Sequence, residues 1–321
     1  MHHGRVTVAG TELARLLPES ERLLFHSESV CIGQVRCPPT APHFRNCGEA
    51  RTFCIVFPRS AVSIHRPGSP PYIEDPTVVG FYNRAQEYER YEVSPEGDRC
   101  DWFGFPAGAV RDAVSLFDPT AASDERRPWR FNAARSSAAV YRQQRLLFEQ
   151  VRTDGAIDPL YVDEAAIAIL GQVVAEAYAP DRQVDPPSRR SRELAEATRR
   201  LLARAYDQPL SLAQIARALA TSAFHLCHVF RRVEGTSIHR YRLELRLRRA
   251  VERVADPAVD VGQVAFDLGF STHSHFTAAF RRAFGTTPSA MRFRLTRSGR
   301  SEQILQGRSH TIARERHRFR R

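Results

Sequence analysis

The sequence predicts an α+β protein: a β-rich N-terminal domain with a helical appendage, followed by an all-α C-terminal domain. Three observations predict this fold class. Short β-branched and aromatic runs fill the first part of the chain, helical periodicity without strand signals fills the last third, and the cations are concentrated in that last third. At 321 residues the chain is long enough to form two domains with separate cores.

Residues 1–132 are predicted to be the β-rich domain. Apolar runs occur at 52–57, 61–65 and 77–82, and Pro- and Gly-containing segments such as 66–71 separate them. Several short strands at this spacing indicate a small sandwich or barrel.

Residues 133–180 are predicted to form a pair of helices. The first extends from Ala133 to Val151 and the second from Leu160 to Tyr178, with a stop signal at 153–159. Four apolar residues share one face of the second helix: Ile167, Leu170, Val174 and Ala177. We expect this face to pack in the core, and a homodimer seam is the alternative.

Residues 181–190 are polar and proline-interrupted, which predicts an interdomain linker before a helical domain at 191–294. A fragment that starts near Pro187 is therefore expected to fold alone. Residues 295–321 contain many Arg and few apolar side chains, so we expect a basic, disordered tail.

The net charge of +11 is divided unevenly along the chain. Residues 1–187 contain 20 Arg and 25 acids, a net charge of −5, whereas residues 188–321 contain 27 Arg and 11 acids, a net charge of +16. The C-terminal part is therefore expected to attract a polyanion such as nucleic acid. The sequence has no run of 18 apolar residues and no signal region, so a cytoplasmic location is expected.

The six cysteines are expected to be reduced and mostly buried thiols and not a disulfide framework. They are Cys31, Cys37, Cys47, Cys54, Cys100 and Cys227. No pair has the Cys-x-x-Cys spacing of a structural zinc site, and no metal or other cofactor is expected. A thiol- or metal-sensing regulator remains an open alternative.

An internal repeat in the C-terminal region determines the functional class. Ser211 to Leu219 is similar to Asp260 to Leu268, and each segment begins with an N-cap residue followed three positions later by Gln, which is the capping-box pattern. In both copies a short turn and a second helix follow, and that helix ends in Phe-Arg-Arg before a Gly-Thr pair. This pattern is typical of a helix-turn-helix unit.

A connecting helix is predicted between the two copies, from Ser237 to Ala255. Nineteen helical residues span about 28 Å at roughly 1.5 Å per residue. Because one turn of B-DNA is about 34 Å, a helix of this length places two units on successive major grooves. The sequence therefore predicts a sequence-specific protein that binds double-stranded DNA.

Residues 191–294 resemble the DNA-binding domain of the AraC/XylS family of bacterial transcription regulators. The second copy, from Ala265 to Arg292, carries the resemblance most clearly. The resemblance implies seven helices, a second helix of each unit in the major groove, and RNA polymerase as a partner. It also implies control by a small-molecule effector at the N-terminal domain.

The resemblance implies reading helices at Ser222 to Arg232 and Thr272 to Arg282. The base-facing positions are Ala223, Phe224, Cys227 and His228 in the first unit and His273, Ser274, Thr277 and Ala278 in the second. Arg231 and Arg281 are expected to contact phosphates, and Ser222 and Arg232 complete the DNA-binding set. Cys227, His228 and Ala278 stand where longer polar or basic side chains are frequent, so we expect fewer base contacts.

The N-terminal domain resembles, more faintly, the cupin-like sensor domain of the same family. Residues 81–88 and 94–100 carry this resemblance. The aromatic residues Phe53, Phe57, Phe81 and Tyr82 are expected to line an effector pocket. Asp98-Arg99-Cys100 is interpreted as a turn closed by an Asp–Arg pair.

No enzymatic activity is expected. A catalytic cupin needs a His-x-His pair, and residues 30–118 contain none. His273 and His275 are two apart on a helix and do not share a face, so they are not expected to bind one metal ion. The remaining alternative of this class is a cupin-type enzyme fused to a DNA-binding module.

Overall fold

The computed structural model describes residues 17–153, 157–179 and 187–297. Its strands form two antiparallel sheets, one with the order β1-β2-β9-β4-β7-β10 and one with the order β3-β8-β5-β6. The strands are β1 (Glu21–His26), β2 (Cys31–Cys37), β3 (Asn46–Glu49), β4 (Phe53–Pro58), β5 (Val62–His65), β6 (Tyr72–Glu74), β7 (Val78–Tyr82), β8 (Glu87–Glu92), β9 (Asp98–Phe105) and β10 (Ala133–Arg135). The predicted β-rich N-terminal region is confirmed.

The two faces of the six-stranded sheet bury different sets of side chains. In β4, Phe53, Ile55 and Phe57 belong to a core formed with helices, whereas the alternate residues Cys54 and Val56 line a cavity. This division follows from the period of two along a strand.

Four helices precede the C-terminal domain, and they pack on the six-stranded sheet or on each other. They are α1 (Ala107–Ser115), α2 (Pro119–Ala122), α3 (Ala138–Thr153) and α4 (Pro159–Ala177). On α4, Leu170 and Val174 are buried in this core, as expected, whereas Ile167 is exposed.

The predicted start of the first appended helix is wrong. Residues Ala133–Arg135 form β10, which pairs with Val78–Gly80 of β7 and supplies hydrogen-bond partners to that strand. The helix begins only at Ala138, after the hydroxyl of Ser137 accepts the backbone N–H of Val140. Sheet pairing at the edge therefore prevails over local helix propensity.

Residues 187–297 contain seven helices, as the resemblance implies. They are α5 (Arg189–Arg204), α6 (Leu212–Ala218), α7 (Ala223–Glu234), α8 (Ile238–Val254), α9 (Val261–Asp267), α10 (His273–Phe284) and α11 (Pro288–Arg297). Most of the predicted linker and nearly all of the predicted tail lie outside the described residues. Residues 295–297 belong to α11.

The two helix-turn-helix units are α6–α7 and α9–α10, and α8 connects them. The capping box predicted for the first unit is present, with the hydroxyl of Ser211 accepting from Gln214 N and the Gln214 side chain accepting from Ser211 N. In the second unit Asp260 accepts from Gly262 N, and Gln263 donates to Asp267 instead. The reciprocal box predicted for that copy is therefore absent.

The turn inside each unit places one residue in the left-handed region. Ala220 has φ 48° in the first unit and Gly269 has φ 75° in the second. At Gly269 an added Cβ would lie 2.5 Å from the carbonyl oxygen of Asp207 and 2.6 Å from a guanidinium nitrogen of Arg246. The second turn therefore requires glycine for close approach as well as for φ.

The second helix-turn-helix unit shares its core with the appended helices. Tyr141 of α3 is buried in one cluster with Val251 of α8, Phe280 of α10 and Met291 of α11. The C-terminal domain therefore packs directly on the N-terminal part of the chain, although the sequence indicates only a polar linker between them.

Candidate nucleic-acid interface and ligand cavity

The first candidate reading helix is α7, and one of its faces is free of core contacts. Ser222 caps it by accepting the backbone N–H of His225 at 3.1 Å. Leu226, Val229 and Phe230 are buried under the helix. The residues at the predicted DNA-binding positions lie on the opposite side: Phe224, Cys227, His228, Arg231 and Arg232 are exposed and Ala223 is half-buried.

The exposed ring of Phe224 is unusual for a folded chain. It is 84% exposed, and its ring stacks on that of His228 with a centroid separation of 6.5 Å and an interplanar angle of 10°. An apolar ring on a reading helix suits contact with the methyl group of thymine. Phe224 and His228 therefore present two stacked rings at the outer face of α7.

The second candidate reading helix, α10, has the same construction. Thr272 caps it by accepting the backbone N–H of His275 at 3.1 Å, and Phe276 and Phe280 are buried beneath it. The predicted DNA-binding residues His273, Ser274, Thr277, Ala278 and Arg281 line one shallow groove together with Arg282 and Thr287. The structure thus brings the whole predicted set of this unit together on one surface.

Arg282 and Thr287 are groove residues that the sequence reasoning missed. Arg282 is the last Arg of the repeated Phe-Arg-Arg ending, so the repeat contained a signal for it. Thr287 belongs to the segment before α11, and only the folded arrangement places it beside α10.

Comparison with known proteins identifies these two units. A family model described as a helix-turn-helix domain matches residues 215–294. The regulatory protein SoxS of Salmonella typhimurium is 33% identical over 89 residues, which cover 28% of this chain and 83% of SoxS. The chain belongs to the AraC/XylS family of transcription regulators. Its helix-turn-helix region is accordingly a DNA-binding domain.

Other relatives of this AraC/XylS regulator match a smaller share of their own length. The regulator GlxA of Rhizobium meliloti is 34% identical over 90 residues, 28% of either chain. The arabinose operon regulatory protein of Escherichia coli is 24% identical over 147 residues, 46% of this chain and 50% of the relative. The chain thus spans between about a quarter and half of these two relatives.

Among solved structures, an AraC-type regulator from Chromobacterium violaceum is 28% identical and covers 34% of this chain, with 97% of its own chain aligned and a TM-score of 0.32. ToxT of Vibrio cholerae is 12% identical, covers 84% of this chain and 99% of its own, and has a TM-score of 0.33. Within the described residues, no helix has the length and hydrophobicity of a membrane span.

A cavity of about 130 Å³ lies between the two sheets of the N-terminal domain. Its wall includes Cys54 and Val56 of β4, Val62 and Ile64 of β5, Tyr82 of β7, Tyr88 and Arg90 of β8, and Cys100 and Trp102 of β9. Of the four predicted effector-binding residues, only Tyr82 lines it. Phe53, Phe57 and Phe81 point to the opposite face of the sheet, into the core with the helices, so the structure corrects that assignment.

Two carboxyl groups in the cavity wall have raised pKa values. Glu74 accepts hydrogen bonds from the hydroxyls of Tyr72 at 2.9 Å and Tyr82 at 3.0 Å, and Arg66 lies 3.8 Å away. Burial raises the pKa of Glu74 to about 7 despite these partners, and burial raises the pKa of Glu21 to about 7 as well. Both groups are therefore partly protonated near neutral pH.

The segment Asp98-Arg99-Cys100 is not a turn closed by its own ion pair. It forms the start of β9, and Asp98 pairs with Arg90 of the neighbouring sheet while Arg99 pairs with Glu96. The Arg90–Asp98 pair is buried at the cavity wall.

The cysteines of the N-terminal domain are weak candidates for thiol sensing. Burial raises the pKa of both Cys31 and Cys47 to about 12, and it also raises the pKa of Cys54 and of Cys100. Since the thiolate is the reactive form, these four thiols are expected to react slowly. Among the described residues, no three His, Cys, Asp or Glu side chains are grouped to hold a metal ion.

The raised pKa of Glu74 predicts that the free energy of unfolding depends on pH. The unfolded chain releases this proton near pH 4.5, but the folded chain keeps it up to about pH 7. The stability that Glu74 contributes is therefore complete below about pH 4.5 and is lost as the pH rises through about 7. Replacing Glu74→Gln should flatten the decrease in unfolding free energy between pH 5 and 7.5, by up to about 3 kcal/mol.

Urea unfolding at several pH values measures this difference. The matched control is Glu125→Gln, which changes an exposed carboxylate on the surface. An identical pH profile for Glu74→Gln and the parent chain would contradict the assignment.

Proposed function

We propose that this AraC/XylS regulator binds specific DNA sequences with α7 and α10, and that a small molecule in the cavity between the sheets controls the binding. The single observation that carries the effector part is the cavity itself. Both sheets contribute to its wall, which combines apolar side chains with several polar and charged ones, and convergent polar groups in a partly apolar cavity are typical of a small-molecule site.

Polar groups at the cavity wall support ligand binding. The buried carboxyl of Glu74 and the buried Arg90–Asp98 pair line the cavity. A ligand that carries a donor or acceptor atom would find hydrogen-bond partners among these groups. The cavity volume suits a molecule of about the size of a benzene derivative.

The effector proposal is tested with a library of small aromatic and aliphatic molecules on the full chain. A true effector should raise the melting temperature and change the affinity for DNA, by about 5–150-fold for a typical allosteric coupling. Val56→Trp fills the cavity and should abolish both effects while DNA binding persists. Library members that bind in the cavity and leave DNA affinity unchanged would refute effector control.

The DNA-reading proposal separates residues that contact bases from residues that contact phosphates. His273 lies at the N-terminal end of α10 and Arg281 lies two turns later, and both are exposed. His273→Ala should relax the preference at one or two base pairs, costing roughly 1–3 kcal/mol on the preferred site only. Arg281→Ala should weaken binding to all DNA sequences alike and reduce the magnitude of the slope of log K against log salt by about 1.

Selection of bound duplexes from a random pool, at matched salt for both variants, measures these effects. For the parent chain, about 6 neutralised phosphates give a salt slope near −5. Should Arg281→Ala change the preferred bases while His273→Ala does not, the two roles on α10 would be reversed.

From the family resemblance we also propose that RNA polymerase is the partner of this chain at promoters.

We further propose that the chain forms a homodimer through the outer face of α4. Leu160 is 64% and Ile167 is 41% exposed, and the two residues lie two turns apart on that face, where they form a small exposed apolar patch. Ile167→Glu should convert a dimer to a monomer in sedimentation equilibrium, whereas Gln172→Glu, at an exposed polar position of the same helix, should not. A monomeric parent chain would rule out this interface.

No enzymatic activity is part of the proposed function. The alternative, a cupin-type enzyme joined to a DNA-binding module, requires a bound transition metal. Elemental analysis of the purified full chain distinguishes the two, because a stoichiometric metal would favour the enzyme.

A further inference from the structure

Strand β9 has one side in the cavity and the other side in an ion-pair network. Cys100 and Trp102 line the cavity, and Asp101 between them points the opposite way. There Asp101 accepts hydrogen bonds from Arg59 at 2.7 Å and 3.0 Å and from Arg145 at 3.2 Å. Any shift of the cavity wall at β9 therefore moves a buried carboxylate on its other face.

The network continues into the DNA-binding domain through α8. Glu252 of α8 lies 2.7 Å from Arg145 and 3.2 Å from Arg59, and all four charged side chains of this network are at most 10% exposed. We call Arg59, Asp101, Arg145 and Glu252 the interdomain network. These charges are removed from water, and a buried ion that loses its partner strongly destabilises the fold. The four side chains are therefore held in this geometry.

Strand β6 repeats this arrangement at a second place. Glu74 lines the cavity, and the next residue, Asp75, is fully buried on the side of the DNA-binding domain. The hydroxyl of Tyr241 in α8 donates to Asp75, and Arg199 of α5 lies 3.5 Å from the same carboxylate. The backbone N–H of Ile73 also donates to Glu196 of α5 at 2.9 Å.

Both contacts converge on the helix that spaces the two reading units. Tyr241 lies near the start of α8 and Glu252 near its end, and α8 joins the α6–α7 unit to the α9–α10 unit. Closely packed interiors transmit displacement because they hold few voids to absorb it. A change at either strand therefore acts on the separation and orientation of α7 and α10.

We infer that β6 and β9 couple the cavity to α8, so that occupancy of the cavity and binding of DNA influence each other through Asp75–Tyr241 and Asp101–Arg145–Glu252. This inference rests on the proposed function. Such coupling is reciprocal, since a ligand that alters DNA affinity must itself be altered equally by DNA. Bound DNA should consequently change the environment of the cavity, even without any effector.

Trp102 in the cavity wall reports on that environment. The chain contains two Trp, and in a Trp129→Phe background Trp102 is the remaining one. A duplex selected from the random pool is added to the full chain, and Trp102 emission is recorded together with the anisotropy of a labelled copy of the duplex. Saturating DNA is expected to shift or quench the Trp102 emission.

Two variants interrupt the proposed connection and one serves as the matched control. Tyr241→Phe removes only the hydroxyl that donates to Asp75, and Glu252→Gln removes the charge that pairs with Arg145 and Arg59. Each should lose at least half of the Trp102 response at saturating DNA. The matched control is Asp267→Asn, which removes the exposed carboxylate of α9 that pairs with Arg253 of α8. It should retain the full Trp102 response to DNA.

Circular dichroism establishes that each variant is folded, and Tyr241→Phe retains the test if Glu252→Gln does not fold. The coupling would be overturned if saturating DNA did not change the Trp102 emission. It would also be overturned if the emission changed equally in Tyr241→Phe, in Glu252→Gln and in the parent chain. If the DNA-reading proposal is wrong, the anisotropy titrations will instead show equal affinity for the selected duplex and for duplexes of other sequence. Failure of effector control would leave the DNA response of Trp102 intact.

Discussion

The ion pairs of Glu252 with Arg145 and Arg59 determine how the two parts of the chain fit together. Each charge is buried, so each would be unfavourable alone and is tolerated only in the presence of the others. The guanidinium groups of Arg145 and Arg59 hold the pKa of Glu252 at about 2, against the effect of burial, so this carboxylate stays ionised at any physiological pH. A fixed negative charge on α8 thus faces fixed positive charges from the β4–β5 connection and from α3.

These buried ion pairs give the connecting helix α8 a second structural role. From the sequence, α8 is a spacer between two reading units, held by its apolar residues to both. In the structure it also provides the polar surface that binds the N-terminal domain, including Tyr241, Arg248, Arg249 and Glu252. Arg249 pairs with Glu96 and donates to the carbonyl of Arg59 at 2.7 Å. A fragment that starts near Pro187 would leave these groups, and the apolar surface against Tyr141, facing water.

Local signals made the DNA-binding domain predictable. Helix caps, turn residues and the repeated Phe-Arg-Arg endings act over a few residues, and the boundaries of α7, α8 and α10 agree with the prediction within a residue or two. The resemblance to the AraC/XylS family implied the reading surface, and the structure exposes most of it because buried residues at helical spacing leave the opposite face of each helix to solvent.

Features that depend on distant parts of the chain were not predictable. In β4 both faces are apolar, so alternation alone does not say whether Phe53 and Phe57 or Cys54 and Val56 face the cavity. Likewise, Asp98 pairs with Arg90 and not with its neighbour Arg99, because the two-sheet fold brings β8 and the start of β9 together. The interdomain network joins residues that are 151 positions apart (Asp101 and Glu252), and no short sequence pattern marks such a contact.

Contacts of α8 hold both parts of the chain in one arrangement. Amide hydrogen exchange of the full chain, with and without Glu252→Gln, tests it most directly, since exchange reports local opening residue by residue. Loss of the Glu252 charge should speed exchange in β9 and α3, far away in the sequence, as well as in α8, whereas Asp267→Asn should leave β9 and α3 unchanged. Faster exchange confined to α8 and the reading units would contradict the claim.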